Sequence, residues 1–401
     1  MQRKTDLTRS TLFVDAETAA STLGVTVTTL YAYVGRKGIR TQSIPGSRQR
    51  RYWWPDIERL RAGHATPESL PATSGVKHET GITLMTQRGP YYRGRSALDL
   101  AKTHSLESIA ALLWQVDEAV VVSAAAPELP KEFGRLQKLL QHASAVDRAT
   151  ALFPFIEHSN PRAFDLTRLG MARTGVDLLR WYTCLLANLP RPETRPIHET
   201  LARALGVGPE LKEVIRCMLV LAADHGFEAG TYAVRACATA GVTPYRAILA
   251  GLAVVTGRRS TAGRSASINR LLDEISADSD PKRPILRRLK DGDEIPGFGS
   301  TIYENGDPRA RLLMDQLEKI FGDDKGFIKL KKAISTVREF CDREPDFVLA
   351  LAYGHRRLGV DGRNSLFPLG RSVGWIAHAI EQFETGESLR IPASYIGPLP
   401  T

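Results

Sequence analysis

The sequence predicts a mainly α-helical protein with a small basic unit at its N-terminus. Helical patterns broken by Pro and Gly fill most of the chain between a short β-like run at residues 81–85 and residue 363, for example at 96–114, 130–141, 166–189 and 211–223. Windows rich in Ala, Leu and Arg favour helix, because these residues lose little conformational freedom there. A length of 401 residues predicts two or three domains and is ample to bury a sizeable core.

The composition is that of an ordinary soluble protein with an excess of positive charge. Hydrophobic residues make up 43% and charged residues 24% of the chain, which is usual for globular domains. The formal net charge of +10 and a pI near 9.5 permit contact with nucleic acid or with anionic ligands. Charge alone does not select between these two classes of partner.

Neither a metal site nor a membrane span is expected. The four cysteines lack the paired spacing of metal ligands, which predicts reduced core thiols; they are Cys184, Cys217, Cys237 and Cys341. No apolar run approaches the roughly 20 residues that a membrane span needs, and the polar N-terminus lacks the apolar core of a signal peptide. The sequence therefore predicts a cytoplasmic protein.

Residues 1–62 predict a first domain built from short helices and a hairpin. Asp15 is placed to cap a helix at Ala16–Leu23, and Thr26 to cap a second helix from Val27 to about residue 35. The apolar positions expected to face inward are Ala19, Ala20, Leu23, Val27, Leu30 and Val34. Gly24 provides the turn between the helices, a spacing typical of helix-turn-helix units. Residues 45–46 predict the tip of a hairpin or wing, and a third short helix begins near residue 55.

This order of elements resembles the winged helix-turn-helix of MerR-type and excisionase-type proteins. The resemblance implies DNA binding, with the second helix in the major groove and the wing on phosphates. The residues placed to contact DNA are Thr28, Thr29, Tyr31 and Arg36 on the helix and Arg48, Arg50 and Arg51 on the wing. Residues 1–62 hold 11 Lys and Arg against 5 Asp and Glu, which favours DNA. The alternative is a solvated basic docking module.

Residues 63–78 predict a linker, because small and turn-forming residues dominate them. The remaining chain, residues 79–401, carries the motifs that predict function. In the stretch 221–310, His225 follows an acid at the end of an apolar run, and Arg309 follows a helix-breaking Asp-Pro pair. Loops of small residues at 257–263 and 296–299 let backbone approach a ligand closely. A histidine, loop amides and an arginine together suit an anionic carboxylate ligand.

These motifs resemble those of the citrate synthase family, whose pattern reads A-D-H-x-x-N, then G-P-x-H-G-G-A-N, then P-G-F-G-H-x-x-Y-x-x-x-D-P-R. The matching segments are A-D-H at 223–225, P-G-F-G at 296–299, Tyr303, D-P-R at 307–309, P-D-F at 345–347, G-R-S-V-G-W-I-A-H at 370–378 and R-I-P-A-S-Y-I-G at 390–397. Upstream, Y-R-G at 92–94 and L-L-W at 112–114 also fit. The resemblance covers about residues 80–400 in the same order and spacing.

The resemblance implies a two-domain helical fold with the active cleft between a large domain and a small domain around residues 226–330. It implies condensation of an acyl-CoA with oxaloacetate or a similar dicarboxylate, as in the tricarboxylic acid cycle, with no cofactor beyond the acyl-CoA co-substrate. Asp346 takes the position of the family's catalytic base. The dicarboxylate would be held by His225, Arg309, Arg371 and Arg390, and the CoA side would be lined by Gly297, Phe298 and Gly299. The family also implies a homodimer, in which Arg390 is donated across the interface.

Two departures from the family pattern bear on activity. Ser260 and Ser300 stand where the family has catalytic histidines. A serine hydroxyl donates one hydrogen bond, is shorter than imidazole and does not titrate near neutral pH. Loss of one such donor commonly costs roughly 10²–10³ in rate. Arg258 and Arg259 replace a proline and an apolar residue of the pattern, and they either bind CoA phosphates or are solvated.

Two hypotheses follow from the sequence. In the first, the chain is a C-acyltransferase that forms citrate and CoA, weakened at Ser260 and Ser300. In the second, the same fold is a non-catalytic ligand-sensing domain of a DNA-binding transcriptional regulator. The ligand would then bind one of two states of a dimer more tightly than the other. Its binding would thereby shift how the two DNA-binding units sit across that dimer.

Overall fold

The chain divides into two compact units, Met1–Val76 (unit 1) and Lys77–Thr401 (unit 2). The structure, a computed structural model, describes residues 13–37, 39–44, 46–47, 49–61, 79–122, 124–360, 365–386 and 389. The predicted limits of 1–62, 63–78 and 79–401 stay a prediction, since the linker lies outside these ranges. Among the described helices, none is both long and apolar enough to cross a membrane.

The described part of unit 1 contains three helices and a three-stranded antiparallel sheet. Its helices are α1 (Ala16–Leu23), α2 (Val27–Lys37) and α3 (Trp54–Arg61). Its strands are β1 (Phe13–Val14), β2 (Thr41–Ser43) and β3 (Arg50–Trp53), in the order β1–β3–β2. The pair β2–β3 forms the predicted hairpin, with Gln42 opposite Arg51.

The helices of unit 1 begin where the sequence predicted them. Asp15 accepts a hydrogen bond from the backbone N–H of Thr18 at 2.7 Å, and Thr26 accepts one from Thr29 at 3.2 Å. Gly24 closes α1 in the left-handed conformation, with φ of 65°. The second helix runs two residues past its predicted end. The six predicted apolar positions all pack into one core, in which Ala19, Ala20 and Leu30 are buried and Leu23, Val27 and Val34 are partly buried.

Unit 2 begins with a small antiparallel sheet and continues as a helical assembly. Its strands are β4 (Thr83–Thr86), β5 (Gly89–Tyr92) and β6 (Arg95–Ser96), in that order. Its α-helices are α4 (Ala97–Thr103), α5 (Leu106–Trp114), α6 (Glu118–Val122), α7 (Phe133–Leu139), α8 (Ala145–His158), α9 (Arg168–Leu186), α10 (Ile197–Leu205), α11 (Pro209–Ala222), α12 (Ala229–Thr239), α13 (Pro244–Val255), α14 (Thr261–Ala277), α15 (Arg283–Asp291), α16 (Pro308–Phe321), α17 (Lys325–Cys341), α18 (Phe347–Arg357) and α19 (Phe367–Thr385). A 3₁₀ turn spans Pro161–Phe164.

The predicted helical runs are confirmed, with one division that the sequence analysis missed. The run at 96–114 is two helices, α4 and α5, because His104 is extended and Ser105 caps α5 through the N–H of Ser108 at 3.1 Å. The expected runs at 130–141, 166–189 and 211–223 correspond to α7, α9 and α11.

Helix α19 lies at the centre of unit 2. It packs against α5, α9, α11, α12 and α13, and its residues Trp375 and Ile376 are fully buried. Helix α14 instead packs against α17 and α18, and α16 against α18. Helices α12 and α13 fall within the predicted small-domain limits of 226–330, yet they pack against the α19 bundle. Helix α16 also packs against α11, and the small-domain limits stay a prediction.

Candidate active site

One cavity in unit 2 brings together most of the residues predicted to bind substrate and perform chemistry. It has a volume of about 840 Å³, and its lining includes His225, Arg309, Asp346, Arg371, Phe298, Gly299 and Ser300. Four of these residues lie at or near the ends of helices that are distant in sequence, and the other three lie in the loop before α16. The cavity is called the cleft below.

His225 follows the C-terminal end of α11 and faces the cleft. The neighbouring backbone is fixed by the buried hydroxyl of Tyr92, which lies 3.0 Å from the carbonyl of Val220 and 3.2 Å from the N–H of Asp224. The Nε2 atom of His225 lies 2.8 Å from the hydroxyl of Tyr303. Burial, followed by repulsion from two cleft arginines, lowers the pKa of His225 well below its ordinary value. The imidazole is therefore neutral near pH 7.

Arg371 is held beside His225 because α19 crosses α11 at very short range. The N–H of Gly374 donates to the carbonyl of Ala223 at 3.0 Å, and a Cβ at Gly374 would lie 2.3 Å from that oxygen. Only glycine permits this approach. The buried guanidinium of Arg371 donates through Nε to the carbonyl of Ala222 at 2.9 Å.

Arg309 is fixed at the beginning of α16. Asp307 caps this helix and accepts from Nε of Arg309 at 3.1 Å and from Nη2 at 2.7 Å. The guanidinium also lies over the ring of Phe347, 4.5 Å from its centroid. A bidentate ion pair between two buried groups gives Arg309 a single orientation at the cleft wall.

Asp346 caps α18 and is tied to the loop at 296–299. Its Oδ1 atom accepts from the N–H of Leu349 at 2.9 Å, and its own N–H donates to the carbonyl of Gly297 at 2.9 Å. Gly297 has φ of 89°, and a Cβ there would lie 2.8 Å from Leu349. The glycine therefore sets how closely the loop approaches α18. Burial raises the pKa of the Asp346 carboxyl, and the charge of Arg264 acts in the opposite direction.

The hydroxyls of Ser260 and Ser300 are engaged in local backbone. Ser260 donates to the carbonyl of Gly257 at 2.7 Å, at the end of α13. Ser300 accepts from the N–H groups of Ile302 and Tyr303, each at 3.1 Å. Each hydroxyl is therefore bonded to backbone atoms of its own loop and stabilises the conformation of that loop.

Two charged residues of the cleft were missed by the sequence analysis. Arg264, in the first turn of α14, donates from Nη2 to Oδ2 of Asp346. Glu228 accepts from Nη1 of Arg371 at 3.4 Å and from Nε1 of Trp375 at 3.2 Å. A signal was present, because Glu228 stands at the asparagine of A-D-H-x-x-N and Arg264 at the asparagine of G-P-x-H-G-G-A-N.

A second cavity of about 650 Å³ adjoins the cleft. Glu228, Thr261 and Arg264 line both cavities. The second cavity also contains Arg258, Arg259, Ser260, Val254 and Trp375. The two additional arginines are exposed. Their association with CoA phosphates stays a prediction.

Several predicted residues lie elsewhere. Arg390 and Arg48 lie outside the described residues, as does the side chain of Arg36. In unit 1, Thr28, Arg50 and Arg51 are exposed, Thr29 is partly buried, and the Tyr31 side chain is 58% exposed. Across the described ranges, no group of three or more His, Cys, Asp or Glu side chains could hold a metal ion.

Sequence and structure comparisons identify the class of protein that this helical fold and cleft define. The family described as "Citrate synthase, C-terminal domain" matches residues 72–392. The chain belongs to the citrate synthase family. The mainly helical fold that the sequence predicted is therefore confirmed.

Named relatives agree with this assignment. A citrate synthase of Haloferax volcanii is 29% identical over 194 residues, which cover 47% of this chain and 51% of the relative. Citrate synthase 2 of Bacillus subtilis is 24% identical over 336 residues, which cover 77% of this chain and 90% of the relative. For the Haloferax protein and the similar mycobacterial ones, the chain spans about half the length of the curated relatives it matches.

Solved structures show the same fold over most of the chain. Citrate synthase from Thermotoga maritima matches with a TM-score of 0.68 and 25% identity, covering 82% of this chain and 95% of that one. A ternary complex of carboxymethyl coenzyme A and oxaloacetate with the Thermoplasma acidophilum enzyme has a TM-score of 0.68 and 21% identity, covering 82% and 96%. The latter match concerns the fold alone.

Proposed function

We propose that this chain condenses an acyl-CoA with oxaloacetate or a similar dicarboxylate, releasing a citrate-type product and CoA. The observation that carries the proposal is the convergence of His225, Arg309, Asp346 and Arg371 on one cleft. Two arginines and a neutral imidazole suit a doubly charged 2-oxo acid, because guanidinium groups bind carboxylates and a neutral imidazole N–H can donate to the ketone. The ternary complex of the Thermoplasma enzyme has ligands of these two classes.

In the proposed reaction, the Asp346 carboxylate takes a proton from the carbon next to the thioester. The resulting enolate carbon forms a bond to the ketone carbon of the dicarboxylate, and hydrolysis of the thioester then releases CoA. Burial of Asp346 raises its proton affinity, as a general base needs. Gly297, Phe298 and Gly299 support the acyl-CoA side, since their loop is joined to the backbone of Asp346.

We propose that turnover is slow compared with a site that has two imidazoles. The Ser260 hydroxyl donates its proton to a backbone carbonyl, and the Ser300 hydroxyl, which accepts from two backbone N–H groups, is shorter than an imidazole and does not titrate near neutral pH. Loss of one oxyanion donor commonly costs roughly 10²–10³ in rate, and two losses within one site need not multiply. The proposed enzyme is a cytoplasmic homodimer that receives Arg390 from its partner.

Release of free CoA thiol tests this proposal. Acetyl-CoA is supplied with and without oxaloacetate, and calorimetry measures binding of each ligand separately. We expect oxaloacetate-dependent thiol release that Asp346→Asn abolishes and that Asp323→Asn, a matched change at an exposed carboxyl, leaves intact. Tight binding without release would favour a ligand-sensing domain. Absence of binding would refute both the catalytic and the sensing roles of the cleft.

We propose, as a second function, that unit 1 binds DNA as a winged helix-turn-helix. Support comes from the exposed face of α2, which presents Thr28 and Tyr31, and from the exposed Arg50 and Arg51 on β3. Basic side chains on a hairpin suit phosphate contacts, and polar or aromatic side chains on a helix suit base edges.

Selection of bound duplexes from a random DNA pool, using the full chain, tests this second function. Arg50→Ala combined with Arg51→Ala is expected to weaken DNA binding. The salt dependence of the binding constant is expected to fall by the contribution of about two phosphate contacts. Arg270→Ala, in α14 of unit 2, is the matched control. Retention of full affinity by the double variant would refute the wing contact, and an unenriched pool would favour a basic docking module.

A further inference from the structure

Both carboxylate oxygens of Asp346 accept a hydrogen bond. Oδ1 accepts from the N–H of Leu349 at 2.9 Å, which caps α18, and Oδ2 accepts from Nη2 of Arg264. The Asp346 side chain is 7% exposed, whereas that of Arg264 is 47% exposed. A buried carboxylate is therefore covered by an arginine that reaches it from the solvent side.

This arrangement opposes the role proposed for Asp346. A general base must aim an oxygen at the proton it removes. An arginine on that oxygen takes up an acceptor site, and its positive charge favours the ionised carboxylate and weakens its attraction for a proton. The backbone bond from Leu349 must be kept, because it holds the cap of α18. Arg264 is therefore the partner that can leave without unwinding a helix.

Two other carboxylates near Asp346 are already paired. Asp307 acts on the Asp346 carboxyl from the beginning of α16 and is held by Arg309. Glu344, two residues before Asp346, is paired with Arg338 at 2.6 Å. Arg343 also lines the cleft. Arg264 is the described cation that contacts the Asp346 carboxylate itself.

We propose that Arg264 is a positioning residue that holds Asp346 in an unavailable state and must move away before proton abstraction. The proposal rests on the proposed function of the cleft. Arg264 borders both cavities, so an anionic group entering either one meets its guanidinium and competes with Asp346 for it. Departure of Arg264 frees Oδ2 and leaves the bond to Leu349 intact. The arginine thereby makes the base dependent on an occupied site.

The first experiment measures Asp346 without substrate. Full-length protein labelled with ¹³Cγ-aspartate is titrated by NMR, and Asp346→Asn assigns the signal. Arg264→Gln, which removes the charge and keeps most of the length, is expected to raise the pKa of Asp346. Arg264→Lys is expected to leave it close to wild type, and Arg270→Gln on the same helix is the control. Equal titration of wild type and Arg264→Gln would overturn the proposal.

The second experiment measures thiol release across pH in the same variants. Arg264→Gln is expected to raise kcat about five- to tenfold, because a half-exposed ion pair no longer competes for the base. The acid limb of its pH profile is expected to move to higher pH. Arg264→Lys is expected to retain the wild-type profile.

The two experiments separate failure of the inference from failure of the proposed function. A folded Arg264→Gln protein as inactive as Asp346→Asn, beside an active wild type, would show that Arg264 assists the reaction and would overturn the inference. No turnover in any variant, together with a raised Asp346 pKa in Arg264→Gln, would refute the proposed reaction and support the ion pair as the control on Asp346.

Discussion

Replacing Gly297 by alanine is expected to displace the loop that positions Asp346. Gly297 has φ of 89°, a conformation that costs an L-residue about 1–2 kcal/mol. The new methyl group would also lie 2.8 Å from Cδ1 and 3.0 Å from Cβ of Leu349. Overpacking of this kind costs about 1–3 kcal/mol. Together these effects predict a loss of about 2–5 kcal/mol in the free energy of unfolding.

Gly292 offers a matched control for the backbone contribution. It has φ of 73° at the end of α15, and a Cβ there would meet nothing within 4 Å. Gly292→Ala is therefore expected to cost only about 1–2 kcal/mol. Urea unfolding followed by circular dichroism, a signal dominated by the helices of unit 2, measures the difference between the two variants.

The loop also predicts a functional difference between these variants. The carbonyl of Gly297 accepts from the N–H of Asp346 at 2.9 Å, so a displaced loop moves the proposed base. We expect Gly297→Ala to weaken acyl-CoA binding and thiol release, and Gly292→Ala to preserve both. Unfolding of both variants at the same urea concentration, together with equal binding of acyl-CoA, would refute this role of Gly297.

Three further changes have expected outcomes of known sign. Glu228→Gln keeps one acceptor oxygen for the cap of α12 but removes the charge beside Arg371, so we expect several-fold tighter oxaloacetate binding by calorimetry; unchanged affinity would contradict this. Burial lowers the pKa of His355 to about 4 while its Nε2 accepts from the N–H of Leu366. Because the unfolded imidazole protonates first, its contribution to stability is present above pH ~6.5 and is lost as pH falls towards 4. This loss lowers the free energy of unfolding of the wild type by about 3 kcal/mol in total. Urea unfolding of His355→Asn is expected to show no such decrease. Asp15→Ala removes the cap of α1 and is expected to cost unit 1 about 1 kcal/mol, measured by hydrogen exchange, with no change in unit 2.

Local features of the fold could be predicted because they depend on neighbouring residues. Asp15 and Thr26 cap the helices that follow them, and the apolar spacing of α1 and α2 specifies their inward faces. The division between α4 and α5 was also local, since Ser105 is a capping residue that follows the polar residues 102–104. It was missed because the helical pattern continues on both sides of that serine.

Only those cleft residues that lie in the family motifs could be predicted from the sequence. The convergence of Arg309, Asp346 and Arg371 followed from the family pattern, although they are distant in sequence. The ion pair between Arg264 and Asp346 joins residues 82 apart, and no local pattern specifies it. The orientations of Ser260 and Ser300 were equally inaccessible, because nearby backbone carbonyls and amides decide them.

The charges at the two asparagine positions of the pattern explain how the cleft can be stable while its ligands are absent. Glu228 contacts Arg371, and Arg264 contacts Asp346, so each substituted side chain partly neutralises a group proposed to act on substrate. A buried charge without a partner is costly, and these pairs satisfy both proposed groups from within the chain. A ligand must then displace an internal partner before it gains the same contact. We therefore expect a dicarboxylate to bind more weakly to this cleft than to one in which Arg371 has no acidic partner.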